Sequence, residues 1–71
     1  MTKDEMVREV VKRIMNEVSL QRINYMDDSD YLEEIENILG YGNVNPKDLL
    51  DGVKDGVNKL WYTLNYVVEN Y

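Results

Sequence analysis

Residues 45–71, the last third of the chain, read NPKDLLDGVKDGVNKLWYTLNYVVENY and decide the fold. Asn45 followed by Pro46 is a strong helix start, because asparagine caps the first turn and proline at the first helical position loses no hydrogen bond. Apolar residues then recur at alternating intervals of three and four: Leu50, Val53, Val57, Leu60, Leu64, Val67 and Tyr71. This apolar seam predicts a helix over about residues 46–70 that packs lengthwise against another helix.

Gly52 and Gly56 interrupt that helix. Each glycine costs about 1 kcal/mol relative to alanine in a helix interior, so a break or kink near Gly56 is an open alternative. The spacing of the two glycines is that of membrane-helix dimers, but the charged residues Asp51, Lys54 and Asp55 lie beside them. We therefore do not expect this helix to lie in a membrane.

Two shorter helices are predicted upstream. Thr2 and Glu5 fit a capping box, which starts a helix over about residues 3–18. Its apolar stripe consists of Met6, Val7, Val10, Val11, Ile14, Met15 and Val18. Asp28 or Ser29 can cap a helix over about residues 29–39 that ends at Gly40. Its inward residues are predicted to be Leu32, Ile35, Ile38 and Leu39.

The connectors, residues 20–26 and 41–45, carry weaker signals. Residues 20–26 alternate only in part, so a loop is expected, with a short β-hairpin formed by the two connectors as the alternative. The sequence therefore predicts one mainly α domain over residues 1–71, a small three-helix fold with a long C-terminal helix.

The chain contains neither cysteine nor histidine. Disulfides, thiolate metal sites and a catalytic triad built on histidine are therefore excluded. A calcium loop starting at Asp28 fails, because Leu32 occupies the third ligand position and Glu33 the required glycine position. We predict no catalytic residue, no metal site and no cofactor, and hence a binding protein and not an enzyme.

The apolar runs fall far short of the roughly 20 residues that cross a bilayer. The start of the chain, residues 1–5, does not resemble a secretory signal. A cytoplasmic location is therefore expected.

Acids are concentrated in the middle of the chain. The whole chain has 14 acids and 8 bases, a net charge of −6, whereas residues 24–58 have nine acids and only Lys47 and Lys54 as bases. The first acidic row contains Asp27, Asp28, Asp30, Glu33, Glu34 and Glu36. The second row, opposite the apolar seam of the last helix, contains Asp48, Asp51 and Asp55.

These rows predict a basic partner. Acids three or four apart on a helix repeat about every 5 to 6 Å, close to the phosphate spacing of a nucleic-acid strand. The net negative charge argues against direct binding of nucleic acid or of an anionic membrane. The alternative is that Asp27, Asp28 and Asp30 favour the start of a helix through its dipole and that the other acids are ordinary solvated surface.

The chain resembles a class of viral proteins in several features. It is small, it has no cysteine, and its Asn, Tyr, Lys and Ile residues total 23 while alanine is absent, which is typical of an AT-rich genome. Together with the segments Asp27–Asp30 and Glu33–Glu36, these features resemble bacteriophage host-takeover proteins, especially DNA mimics that block a bacterial histone-like protein of the HU type. The resemblance implies a homodimer that presents carboxylates in place of phosphates and occupies the DNA-binding surface of its target.

A homodimer is also predicted from size, because a 71-residue core is marginal and the seam is longer than either shorter helix can cover. The predicted dimerisation residues are Leu50, Val53, Val57, Leu60, Leu64 and Val67. The alternative function is a helical adaptor that binds a partner helix through the same seam.

Overall fold

The computed structural model describes the backbone of residues 2–70 and the side chains of residues 2–60. Four helices follow one another: α1 (Lys3–Glu17), α2 (Leu20–Ile23), α3 (Asp28–Leu39) and α4 (Pro46–Asn70). The mainly α fold is confirmed, and the long helices end within about one residue of the predicted bounds. No strand occurs in residues 2–70, so the hairpin alternative is wrong for this part of the chain.

Helix α2 replaces the loop expected from the first connector. The side chain of Ser19 accepts a hydrogen bond of 3.2 Å from the backbone N–H of Arg22, which caps the first turn. Ile23 ends the helix and is buried in the core. The Ser19 cap and the burial of Ile23 stabilise this single helical turn, which is too short to show a periodic pattern of apolar residues in the sequence.

Helix α3 begins one residue earlier than predicted, because Asp27 and not Asp28 or Ser29 is its cap. The Asp27 side chain accepts from the backbone N–H of Asp30 at 3.0 Å, and the Asp30 side chain accepts from the N–H of Asp27 at 3.3 Å. Gly40 ends the helix with a φ of +94°, a conformation that favours glycine.

The inward face of α3 also differs from the prediction. Tyr31 and Ile35 are its buried residues, while Ile38 and Leu39 pack partly against the core. Leu32 lies at the edge, with intermediate exposure, where the sequence predicted a core residue. The helix is therefore rotated so that the apolar ring of Tyr31 is buried in preference to Leu32.

Helices α1, α3 and α4 each pack against the other two and enclose one core. It consists of Val10, Val11, Ile14, Ile23, Tyr31, Ile35, Leu49, Val53 and Val57. Val7 lies beside Gly52 and Val11 lies beside Gly56, so α1 runs parallel to α4. The start of α3 contacts the middle of α4, and its end leads back to the start of α4, so these two helices are antiparallel.

Helix α4 continues through Gly52 and Gly56 without a break, although the low helix propensity of glycine would permit one. A Cβ at Gly56 would lie 2.9 Å from Cγ2 of Val11, and one at Gly52 would lie 3.3 Å from Cγ2 of Val7. The two glycines therefore permit close approach of α1, and this packing offsets their propensity cost.

The apolar seam of α4 is divided between the core and the surface. Val53 and Val57 are 0% exposed within a single chain, and Leu50 packs partly against the same core. Val53 and Val57 therefore belong to the core of a single chain, where α1 and α3 cover them, and the dimerisation role of the seam stays a prediction. Leu60 is 46% exposed. The predicted residues Leu64 and Val67 lie outside the side chains that the structure describes.

Candidate protein-binding surfaces

Acids and bases are unevenly distributed along the chain. All nine acids of the two rows lie within residues 27–55, from the cap of α3 to the middle of α4. Five of the eight bases lie in residues 3–22, on α1 and α2. We call the surface formed by the nine acids the acidic face. Its members are Asp27, Asp28, Asp30, Glu33, Glu34, Glu36, Asp48, Asp51 and Asp55.

Two acids of the first row have a structural role. Asp27 and Asp30 form the reciprocal capping box described above, in which each carboxylate accepts a backbone N–H of the first helical turn. Their negative charges also complement the positive end of the helix dipole. The alternative interpretation, that acids favour the start of this helix, is therefore correct for Asp27 and Asp30. Both residues still add their charge to the acidic face.

Asp28 is paired with a base that the sequence did not place near it. The Nζ atom of Lys54 donates a hydrogen bond of 2.6 Å to Oδ1 of Asp28. This hydrogen bond, followed by the charges of Asp28 and Asp51, raises the pKa of the Lys54 ammonium group. Asp28 is thus paired with a base that is distant in the sequence, although no base lies within the first row itself. The charge of Asp51 also raises the pKa of Lys54, so Lys54 interacts with one acid from each row.

A second pair lies within α4, where Nζ of Lys59 is 3.0 Å from Oδ2 of Asp55. Both side chains are exposed, so this pair is a weak surface interaction. The remaining acids of the face form no ion pair with the side chains of residues 2–60. They are Glu33, Glu34 and Glu36 on α3 and Asp48 and Asp51 on α4. These five carboxylates are available to a partner.

A groove between α1 and α4 was not anticipated from the sequence. It has a volume of ≈ 550 Å³, an apolar floor and a rim that carries three bases. The floor consists of Val7, Val11, Met15, Gly56 and Leu60, and the rim of Arg8, Lys12, Asn16 and Lys59. The sequence does contain one signal of this groove. Gly52 and Gly56 on α4 lie four residues apart, and so do Arg8 and Lys12 on α1.

A smaller pocket, of ≈ 260 Å³, lies between the starts of α1 and α4 and is lined by Lys3, Met6, Val44, Asn45, Asp48 and Leu49. No three or more carboxylates among them are arranged to hold a metal ion. No helix in the described part of the chain combines the length and the apolar character that crossing a membrane requires. Comparison of the chain with protein-family models, with curated proteins and with solved structures found no match.

Proposed function

We propose that this chain is an acidic inhibitor that binds the DNA-binding surface of a basic bacterial nucleoid or transcription protein and blocks its DNA binding. One observation carries the proposal. Five carboxylates project from two packed helices and form no ion pair with the described side chains: Glu33, Glu34, Glu36, Asp48 and Asp51. None of these five carboxylates is in an ion pair with the side chains of residues 2–60, and only Asp51 is coupled to a base, Lys54, so their field acts on an approaching molecule.

The helical frame distinguishes this surface from a flexible acidic tail. Successive turns of a helix repeat about every 5.4 Å, so α3 and α4 hold their carboxylates at intervals close to those of backbone phosphates. The hydrogen bond between Lys54 and Asp28 also ties the two helices together. A partner that binds DNA phosphates with Lys and Arg therefore meets a preorganised set of acceptors.

The partner class follows from charge. A net charge of −6 disfavours direct contact with nucleic acid or with an anionic membrane and favours association with a basic protein. A histone-like protein of the HU type is the favoured target, in keeping with the resemblance to bacteriophage host-takeover proteins. The site of action would then be the cytoplasm of the bacterial host.

The second candidate function is a helical adaptor, and the groove between α1 and α4 favours it. An apolar floor and the 46% exposure of Leu60 are features of surfaces that bind an amphipathic helix. Binding at an apolar groove depends weakly on salt, whereas binding at the acidic face weakens strongly as salt rises.

The test is displacement of a labelled DNA duplex from a purified HU-type protein, followed by fluorescence anisotropy. A first variant changes the whole first row to amides: Asp27, Asp28, Asp30, Glu33, Glu34 and Glu36. A second variant changes Asp48, Asp51 and Asp55. We expect poor displacement by the first variant and intermediate displacement by the second, because Lys47, Lys54 and Lys59 already weaken the field of the second row. Equal potency of both variants and the unmodified chain, at low and high salt, would contradict the proposal and favour the adaptor.

A further inference from the structure

The rim of the groove between α1 and α4 is basic although the chain is acidic. The sequence spacing suits an ion pair between Asp4 and Arg8, yet none forms among the described residues. Arg13, on another side of α1, pairs instead with Glu9 at 3.4 Å and Glu17 at 4.0 Å. Arg8 and Lys12 are exposed beside the apolar floor and form no ion pair with the side chains of residues 2–60.

Helix α4 is longer than the helix beside it. Since Val7 is level with Gly52 and Val11 with Gly56, the end of α1 at Glu17 is level with about residue 62 of α4. Helix α4 continues to Asn70, which is about two further turns. Along these turns the sequence continues the apolar seam with Leu64 and Val67.

The same segment has the charge that the groove requires. Residues 61–71 contain no base, and their single acid is Glu69. An apolar stripe flanked by an acid complements an apolar floor flanked by Arg8 and Lys12. A basic peptide would be repelled by the rim of this groove. Inorganic phosphate or a nucleic acid would leave its apolar floor uncovered.

We propose that the groove of each chain binds residues 61–70 of a second copy, in an antiparallel exchange around a twofold axis near Leu60. Helices that cross antiparallel at Leu60 place Leu64 of one copy level with Gly56 of the other. They also place Val68 level with Gly52 and Glu69 near Arg8. The exchange fills both grooves with identical contacts, so the assembly closes as a dimer.

The first test is sedimentation equilibrium of the full chain over a range of concentrations. The unmodified chain is expected to be a dimer at micromolar concentration. Leu60→Asp places a charge in the proposed interface and should weaken dimerisation by about 100-fold. Tyr41→Asp is the matched control, because Tyr41 is 69% exposed and lies away from the groove. Circular dichroism shows whether both variants keep their helices. A monomeric unmodified chain, or equal dimerisation of the two variants, would overturn the proposal.

A charge exchange tests the occupant of the groove. Arg8→Glu alone and Glu69→Arg alone should each weaken the dimer, by about 10-fold at low salt. The double variant restores opposite charges across the interface and should dimerise nearly as well as the unmodified chain. The losses of dimer affinity in the two single variants could instead add up in the double variant. That result would show that Glu69 does not reach Arg8 and would overturn the antiparallel exchange.

Discussion

Nζ of Lys54 lies 2.6 Å from Oδ1 of Asp28, across the junction between α4 and α3. The other ion pairs within residues 2–60 join residues four apart on one helix. The pair of Asp28 and Lys54 links residues 26 positions apart and places a cation within the acidic face. Lys54 therefore stabilises the packing of α3 on α4 while it reduces the field that a basic partner would meet.

Replacing Lys54 with Gln should separate these two effects. The Lys54 and Asp28 side chains are 38% and 62% exposed, so losing their ion pair should change folding stability only slightly. Binding to a basic DNA-binding protein should tighten by several-fold at low salt, because a repelling charge is removed.

Arg13→Gln provides a matched control, since it removes one base from α1 that pairs with Glu9 and Glu17 and with no acid of the acidic face. Affinity measured by calorimetry and stability measured by urea unfolding are the two readouts. If both variants tighten binding equally, net charge and not the position of Lys54 controls the affinity.

Gly56→Ala should destabilise the fold although alanine is the better helix former by about 1 kcal/mol. The new Cβ would lie 2.9 Å from Cγ2 of Val11, and such overpacking costs about 1–3 kcal/mol. Gly52→Ala meets Val7 at 3.3 Å and should cost less. In a double-mutant cycle by urea unfolding, Val11→Ala should lessen the cost of Gly56→Ala. Higher stability of Gly56→Ala than of the unmodified chain would show that close approach of α1 does not require this glycine.

Folding stability should fall at alkaline pH. Burial raises the pKa of the Tyr31 hydroxyl, and the hydrogen bond with Asp28 raises the pKa of Lys54. Both groups bind their protons more tightly in the folded chain, so their contribution is complete below the unfolded pKa values of about 10 and 10.4. It is lost as pH rises through the folded values.

Thermal unfolding from pH 7 to 12 checks this expectation. Tyr31→Phe keeps the ring in the core and removes the titrating hydroxyl, so its stability should decline less above pH 10 or so. Identical declines of Tyr31→Phe and the unmodified chain would show that the burial of Tyr31 does not contribute to the pH dependence.

The long helices could be predicted because each carries a local signal that tertiary packing reinforces. Thr2, Asn45 with Pro46, and Gly40 mark helix ends, and the apolar positions recur with helical spacing. Helix α2 could not be predicted in this way. Its four residues span about one turn, too few to show a period, and its stability depends on the burial of Ile23.

The positions of the acids were evident from the sequence, but their pairing was not. Lys54 reaches Asp28 only because α3 runs antiparallel to α4, a relationship between residues 26 positions apart. The seam of α4 likewise showed which residues are apolar without showing whether α1 and α3 or a second copy covers them. Burial of Val53 and Val57 within one chain depends on the tertiary arrangement.

The most direct test of the proposed function compares two variants that each lose four negative charges. One changes acids of the acidic face to amides: Glu33, Glu36, Asp48 and Asp51. The other changes the four acids of α1: Asp4, Glu5, Glu9 and Glu17. Each is titrated into a complex of an HU-type protein with DNA at low salt, and the released DNA is measured. We predict that the first variant displaces DNA poorly and that the second displaces it about as well as the unmodified chain. Equal displacement by the two variants would contradict a role for the acidic face of α3 and α4.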